Sequence, residues 1–188
     1  MKFKTSLFLL ILSCLIYTIS ADEACSQEEE WGVLSSRFCT VFFEEGVDLN
    51  TVNRRINLRF ADFYNPRRYR DKADLSTEEI LAEKFDSIFS RVEDILDMYP
   101  SMVQVTINIY RTKGGLDEAY EDIFDEPNEA SSFYIYKTNT IYTTERAINE
   151  GMLAHEMAHC IIDHYFVILP PRKIQEMLAV YTDVHLKD

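Results

Sequence analysis

Basic residues are scarce in this sequence, and their scarcity limits the partners that the chain can have. Lys and Arg together number 19 against 32 Asp and Glu, so the formal net charge is −13 at pH 7. A chain this acidic is poorly suited to bind nucleic acid or anionic lipid. The sequence also lacks internal repeats and low-complexity linkers. We therefore expect neither a nucleic-acid-binding protein nor a repeat protein.

Long apolar runs are also lacking, with one exception near the N-terminus. Residues 7–19 are mostly apolar, follow two lysines and lead into a small-residue stretch that ends at Ala21. The run is too short to span a bilayer comfortably, and its flanks are those of a secretory signal. The sequence therefore predicts a signal peptide over residues 1–21 and a secreted or periplasmic protein. No later run is long enough to place a transmembrane segment in the mature chain.

A lipid anchor is an alternative to complete release from the membrane. Residues 11–14 loosely resemble a bacterial lipobox, which would leave Cys14 lipidated. Leu12 fits that motif poorly, and the apolar run continues after the cysteine. In either case residues 22–188 are expected to form a single domain, long enough to bury a core. Its formal charge is −13 − 2 = −15 once the two signal lysines are removed.

Cysteine is too rare for a disulfide-rich scaffold. Three cysteines remain after residue 21, namely Cys25, Cys39 and Cys160. In an oxidising compartment Cys25 and Cys39 can close a short loop, worth about 3 kcal/mol in the loop-entropy model, or they can stay reduced. Cys160 falls in an apolar segment, and we expect it to be a small buried side chain.

The periodicity of the remaining chain predicts an α+β domain. A capping box at residues 76–79 marks the clearest helix start, and Pro100 marks its end. Residues 65–74 are expected to form a loop. The predicted elements are a strand at 56–60, a helix from 77 to before Pro100, a strand at 103–109, a break at Gly114 and Gly115, a short helix at 116–124, hairpin strands at 133–136 and 140–143, and helices from 144 or 149 to 167 and over 171–185. We expect a small mixed sheet with one face covered by helices.

Histidine is scarce in this sequence, with four residues, and its distribution is uneven. Three of the four histidines, His155, His159 and His164, fall in one ten-residue stretch of an apolar segment. His155 and His159 are four residues apart, so a helix presents both imidazoles on one face, where they can bind one metal ion. Glu156 is rotated by about 100° and can contact a water beside that ion. A polar network buried without metal is the alternative interpretation.

A third protein ligand is expected on the following helix. Glu176 lies seventeen residues after His159, and the turn at Pro170 and Pro171 allows an antiparallel helix to bring it level with the histidines. A catalytic zinc site takes three protein ligands and keeps one position open. Asp163 is better placed to accept a hydrogen bond from an imidazole than to bind the ion. His164 is expected to point away from the site, and His185 to be exposed near the chain end.

The HEMAH segment at residues 155–159, preceded by a hairpin and followed by a helix with Glu176, resembles the gluzincin metallopeptidases in their minimal form. This resemblance implies a zincin-like catalytic domain that binds Zn²⁺ through His155, His159 and Glu176. It further implies that Glu156 is the general base, and that the strand near Tyr134 or Tyr142 borders a cleft for an extended peptide.

The sequence departs from related patterns at several positions. Ile162 and Tyr165 replace the glycine and third histidine of metzincins, and Val180 stands where larger thermolysin-like enzymes have an acid. Asp183 could take over that outer role. Tyr165 and Tyr181 are possible oxyanion partners, although buried core positions are expected for both.

The favoured function is therefore an exported zinc metallopeptidase acting on a peptide or protein substrate. A non-catalytic zinc- or peptide-binding protein with a peptidase-like fold is the alternative, and Glu156 is the residue that such a protein would not need. A third interpretation is an acidic structural protein in which the motif is accidental.

Overall fold

A five-stranded mixed sheet forms the centre of the computed structural model, which describes residues 31–58 and 75–188. The strands are β1 Gly32–Ser35, β2 Cys39–Phe43, β3 Val105–Tyr110, β4 Ser132–Ile135 and β5 Thr140–Thr144. Their order is β1-β2-β3-β5-β4. Strands β2, β3 and β5 run parallel, and β1 and β4 pair antiparallel at the two sides. The mixed sheet and its helices confirm the predicted α+β class.

The described residues also form five α-helices. They are α1 Leu49–Arg55, α2 Thr77–Leu96, α3 Lys113–Phe124, α4 Glu150–Tyr165 and α5 Arg172–His185. A 3-10 turn, Tyr136–Thr138, joins β4 to β5. Within the described ranges, no helix has the length and apolar character needed to cross a membrane.

One face of the sheet supplies most of the core. Val41, Ile107 and Ile141 are cross-strand neighbours in register, and each is at most 1% exposed. They share one apolar cluster with α2 and α4, represented by Phe85 and Met157. Because side chains alternate along a strand, the residues before and after each of these three point to the other face of the sheet.

The second face carries stacked aromatic rings. The rings of Phe133 and Tyr142 stack with centroids 4.8 Å apart, and Tyr120 of α3 contacts Phe133 edge-on at 4.9 Å. Helix α3 therefore lies over this second face, whereas α2 and α4 cover the first. The expectation that helices cover one face of the sheet is wrong in this respect, because the aromatic rings of the second face pack against α3.

Several predicted elements are confirmed. Helix α2 begins with the predicted capping box, in which the backbone N–H of Glu79 donates to Ser76 Oγ and the N–H of Ser76 donates to Glu79 Oε2. Strand β3, the hairpin of β4 and β5, and the two closing helices also form where periodicity predicted them.

The predicted strand at residues 56–60 is wrong in its described part. Ile56 is the C-cap of α1, and its N–H donates to Val52 O. Ile56 and Leu58 are buried, at 0% and 6% exposure, so the alternation of burial is real. The N–H of Asn57 donates to Glu150 Oε2 at 2.9 Å instead of to a neighbouring strand. Burial with period two thus occurs here without strand pairing.

The sequence prediction also missed β1, β2 and α1. It placed a chain break at Gly114 and Gly115, whereas both glycines lie in the first turn of α3. The hydroxyl of Thr112 caps that helix by accepting from Gly115 N–H at 3.1 Å.

Other predictions lie wholly or partly outside the described residues. These are the signal peptide, the lipidation of Cys14, the loop at 65–74 and the Cys25 half of the possible disulfide. Cys39 is buried and forms no disulfide with the described part of the chain. Cys160 is also buried, as expected, and burial raises its pKa to about 12.

Candidate metal centre

His155 and His159 lie in the middle turns of α4. The side chain of Asn149 caps this helix by accepting from Met152 N–H at 3.0 Å. Apolar residues surround the histidines on nearly all sides of the helix, and each of the following is 0% exposed: Leu153, Ala154, Met157, Ala158, Cys160, Ile161 and Ile162. The two imidazole centroids are 5.1 Å apart, and their side chains are 26% and 13% exposed. Only part of each ring therefore reaches the solvent.

Glu176 of α5 faces the two histidines. Helix α4 ends at Tyr165, and the chain turns back at Pro171, the N-cap of α5. Glu176 Oε2 lies 3.6 Å from His155 Nε2 and 3.6 Å from His159 Nε2. One donor atom from each of the three residues lies within 4.8 Å of the other two. The structure thus brings together the three residues that the sequence nominated as metal ligands.

The chemistry and spacing of these donor atoms fit zinc. A tetrahedral ion about 2.0–2.2 Å from each donor would hold the donors roughly 3.4 Å apart. The separation of 3.6 Å between Glu176 Oε2 and each histidine Nε2 is close to that value. It is longer than a charge-assisted hydrogen bond, which spans about 2.7–2.9 Å. Burial lowers the pKa of His159 and favours the neutral imidazole that a metal requires.

Glu156 lies beside the three donor atoms and is almost buried. Its side chain turns toward β4, where Ser132 Oγ donates to Glu156 Oε1 at 2.9 Å. Glu156 is only 8% exposed. Burial raises the pKa of Glu156, and the negative charge of Glu176 adds to that effect, whereas Ser132 and His155 oppose it. Glu156 is therefore held at one oxygen and has a raised proton affinity, as a general base requires.

Ser132 is a site residue that the sequence analysis missed. It is in register with Thr143, so both side chains point to the face of the sheet that α4 covers. Ser132 and Tyr134 are two residues apart in a strand, so the sequence indicates that they share a face. Only the sheet topology shows that this face meets Glu156.

A cleft of about 520 Å³ opens over the site between β4 and α4. Strand β4 is at the edge of the sheet, whereas β5, with Tyr142, is inside it. Of the two strands that the resemblance suggested, β4 therefore borders the cleft. The residues that line it are Tyr120, Ala130, Ser132, Phe133, Tyr134, Tyr136, His155, Glu156, His159, Asp163, Leu169, Arg172, Gln175 and Glu176.

Asp163 differs from its predicted role. Within the described residues it makes no hydrogen bond to His155 or His159, so it does not orient either imidazole. It lines the cleft instead and interacts with the Tyr134 hydroxyl. Burial raises the pKa of Asp163, while His164 and Tyr134 oppose the rise.

Asp183 also lies away from the imidazoles. It is exposed and is not hydrogen-bonded to His155 or His159 in the part of the chain that the structure describes. A Cβ added at Gly151 would lie 2.2 Å from Asp183 Oδ1. Asp183 therefore packs against the first turn of α4, and a glycine there permits the close approach.

The remaining candidates also lie away from the three donor atoms. Tyr165 and Tyr181 are each 48% exposed, so the expected burial of both is wrong. His164 Nδ1 and His185 Nδ1 each lie 2.8 Å from a carbonyl oxygen of their own helix.

Arg172, which the sequence analysis did not single out, lies close to one ligand candidate, with its Nε 3.5 Å from Glu176 Oε1.

Comparison of the chain with protein-family models, curated proteins and solved structures gave no match. The donor atoms, Glu156 and the cleft are therefore the features of this chain that bear on its function.

Proposed function

We propose that this protein is an exported, gluzincin-like zinc metallopeptidase. The observation that carries the proposal is the convergence of His155 Nε2, His159 Nε2 and Glu176 Oε2, with spacings of 3.6 Å from Glu176 to each histidine. A buried carboxylate, Glu156, lies beside them in an open cleft. Two neutral imidazoles and a carboxylate are a donor set of catalytic zinc sites.

The residues of the chain have separate roles in the proposed reaction. Zinc in such a donor set lowers the pKa of a water molecule and polarises a carbonyl group. Glu156 would accept a proton from the attacking water and return it to the leaving amine. Ser132 holds Glu156 Oε1, which leaves Oε2 to take the proton. The low exposure of Glu156 supports this role, because burial raises the proton affinity of a carboxylate.

The edge of β4 is the proposed substrate-binding element. Its outer side has no neighbouring strand among the described residues. An extended peptide can pair with such an edge through main-chain hydrogen bonds. Ser132 and Tyr134, which line the cleft, lie in this strand. A peptide that pairs there would pass over Glu156.

The first test combines zinc analysis with peptide cleavage. We expect one zinc per wild-type chain and cleavage of an unstructured peptide library, read by mass spectrometry. Glu156→Gln should keep zinc and lower the cleavage rate by at least about 100-fold, because it removes the general base. Glu118→Gln, at an exposed position of α3, is the matched control and should cleave normally.

Two results would overturn the proposal in different ways. Absence of bound zinc after reconstitution would leave the histidines and Glu176 as a polar network. Stoichiometric zinc without cleavage of any library peptide would favour the non-catalytic zinc-binding protein.

A further inference from the structure

Asp163 is the cleft carboxylate that the proposed reaction does not use. It lies four residues after His159, so it is on the same face of α4, about 6 Å further along the axis. It forms no ion pair with Lys or Arg anywhere in residues 31–58 and 75–188. Arg172, the basic residue in the cleft lining, is 3.5 Å from Glu176. Asp163 thus faces the cleft without a Lys or Arg partner, and its charged neighbour is His164 of its own helix.

Aromatic and aliphatic side chains line the same cleft as this carboxylate. Tyr134 is held in place because its hydroxyl donates to Asn139 Oδ1 at 2.9 Å. Tyr136 is 58% exposed and Leu169 is 38% exposed, and both line the cleft. Tyrosine rings attract cations, and the methylene chains of lysine and arginine pack on apolar surfaces. Together these groups can hold a long side chain with a positive end.

We propose that Asp163, Tyr134 and Tyr136 form a subsite for a lysine or arginine side chain of the substrate, one turn of α4 beyond the metal ligands. The inference rests on the proposed function, since it takes the ligand to be a peptide. A neutral side chain bound there would desolvate the Asp163 carboxylate and add no charge to its interactions with Tyr134 and His164, which is unfavourable. The formal charge of −13 also attracts cationic peptides.

The test uses binding rather than turnover. The Glu156→Gln protein is titrated, with and without added zinc, with fluorescent hexapeptides in which one arginine occupies each position in turn. Each peptide is paired with one that carries citrulline, which has nearly the same shape but no charge. We expect the arginine peptide to bind about tenfold more tightly at one position or two neighbouring ones.

Variants locate the preference. Asp163→Asn in the same background should bind arginine and citrulline peptides equally. Asp183→Asn, which changes an exposed aspartate outside the cleft, should retain the preference. Circular dichroism and zinc content show whether each variant is folded and loaded.

Equal binding of arginine and citrulline at every position would overturn the subsite even if Asp163→Asn fails to fold. An arginine preference that survives Asp163→Asn would also overturn it. The two proposals fail separately. An arginine preference in a protein that cleaves nothing would retract the peptidase and keep the subsite. Cleavage without an arginine preference would retract the subsite and keep the peptidase.

Discussion

The two helices that supply the donor atoms are anchored differently. In α4, nine of sixteen residues are buried, whereas in α5 only two of fourteen are buried. The outer side of α5 leaves several large apolar residues between 43% and 65% exposed: Ile174, Met177, Val180, Tyr181 and Val184. The histidines therefore lie on a helix that is held by packing on most of its sides, while Glu176 depends on how one face of α5 rests against α4.

The largest expected effect comes from a matched pair of methionines. Met157 of α4 is 0% exposed and Met177 of α5 is 59% exposed. Met157→Ala should lower the free energy of unfolding of the zinc-free protein by about 2–5 kcal/mol, because it leaves a cavity in the core. Met177→Ala should change it by no more than about 0.5 kcal/mol. Urea unfolding measures both, and equal losses would contradict the difference between the helices.

Removing the ligand on the less buried helix should separate metal binding from folding. Glu176→Ala should weaken zinc binding by more than about 100-fold, which exceeds the usual loss from residues that only support a ligand. Because Glu176 is 41% exposed, the zinc-free protein should unfold at nearly the wild-type urea concentration. Lys173→Ala, on the exposed part of the same turn, is the control. Isothermal titration with zinc decides, and unchanged affinity in Glu176→Ala would remove it from the ligand set.

The hydrogen bond between β4 and α4 should affect turnover more than substrate binding. Ser132→Ala removes the donor to Glu156 Oε1 and should lower kcat about tenfold, with KM nearly unchanged. Ser132→Thr keeps a hydroxyl and should recover part of the loss. Zinc content should stay at one per chain in both variants. A wild-type kcat in Ser132→Ala would show that Glu156 needs no positioning from the strand.

The smallest effect is expected where α4 meets the end of the chain. Glu150 accepts from Lys187 Nζ at 2.8 Å and from Asn57 N–H at 2.9 Å. Burial raises the pKa of Glu150, but these hydrogen bonds outweigh it and hold the pKa below its ordinary range. A carboxyl with a depressed folded-state pKa stabilises the protein above its unfolded pKa, and this contribution disappears as the pH falls through the folded value.

Glu150→Gln should therefore cost about 1 kcal/mol at pH 7. The cost should shrink as the pH falls below about 4.3, the ordinary pKa of Glu, and disappear once the pH passes the lowered folded pKa. Urea unfolding over this range measures the difference from wild type. Glu118→Gln, on the exposed side of α3, should show no such pH dependence. A difference that persists at low pH would show that the ionised carboxylate is not responsible.

Local patterns predicted the helical part of the fold better than the sheet. Helix α2 has a capping box and an apolar stripe, both of which act within a few residues. Strands β1 and β2 are short. Strand β1 pairs with β2, and β2 in turn pairs with β3, which lies more than sixty residues further along the chain. The strand predicted at residues 56–60 failed for the same reason. Its burial pattern suited a strand, but Asn57 found its partner in Glu150.

The sequence by itself determined the spacing of His155, Glu156 and His159. Helical geometry sets which of these residues share a face, and it requires no other part of the chain. Glu176 was predictable from a short turn between two antiparallel helices. Only the tertiary structure decided that Ser132 contacts Glu156, that Asp163 faces the cleft and that Asp183 lies against Gly151. These contacts join residues far apart in sequence, so they depend on how the helices pack on the sheet.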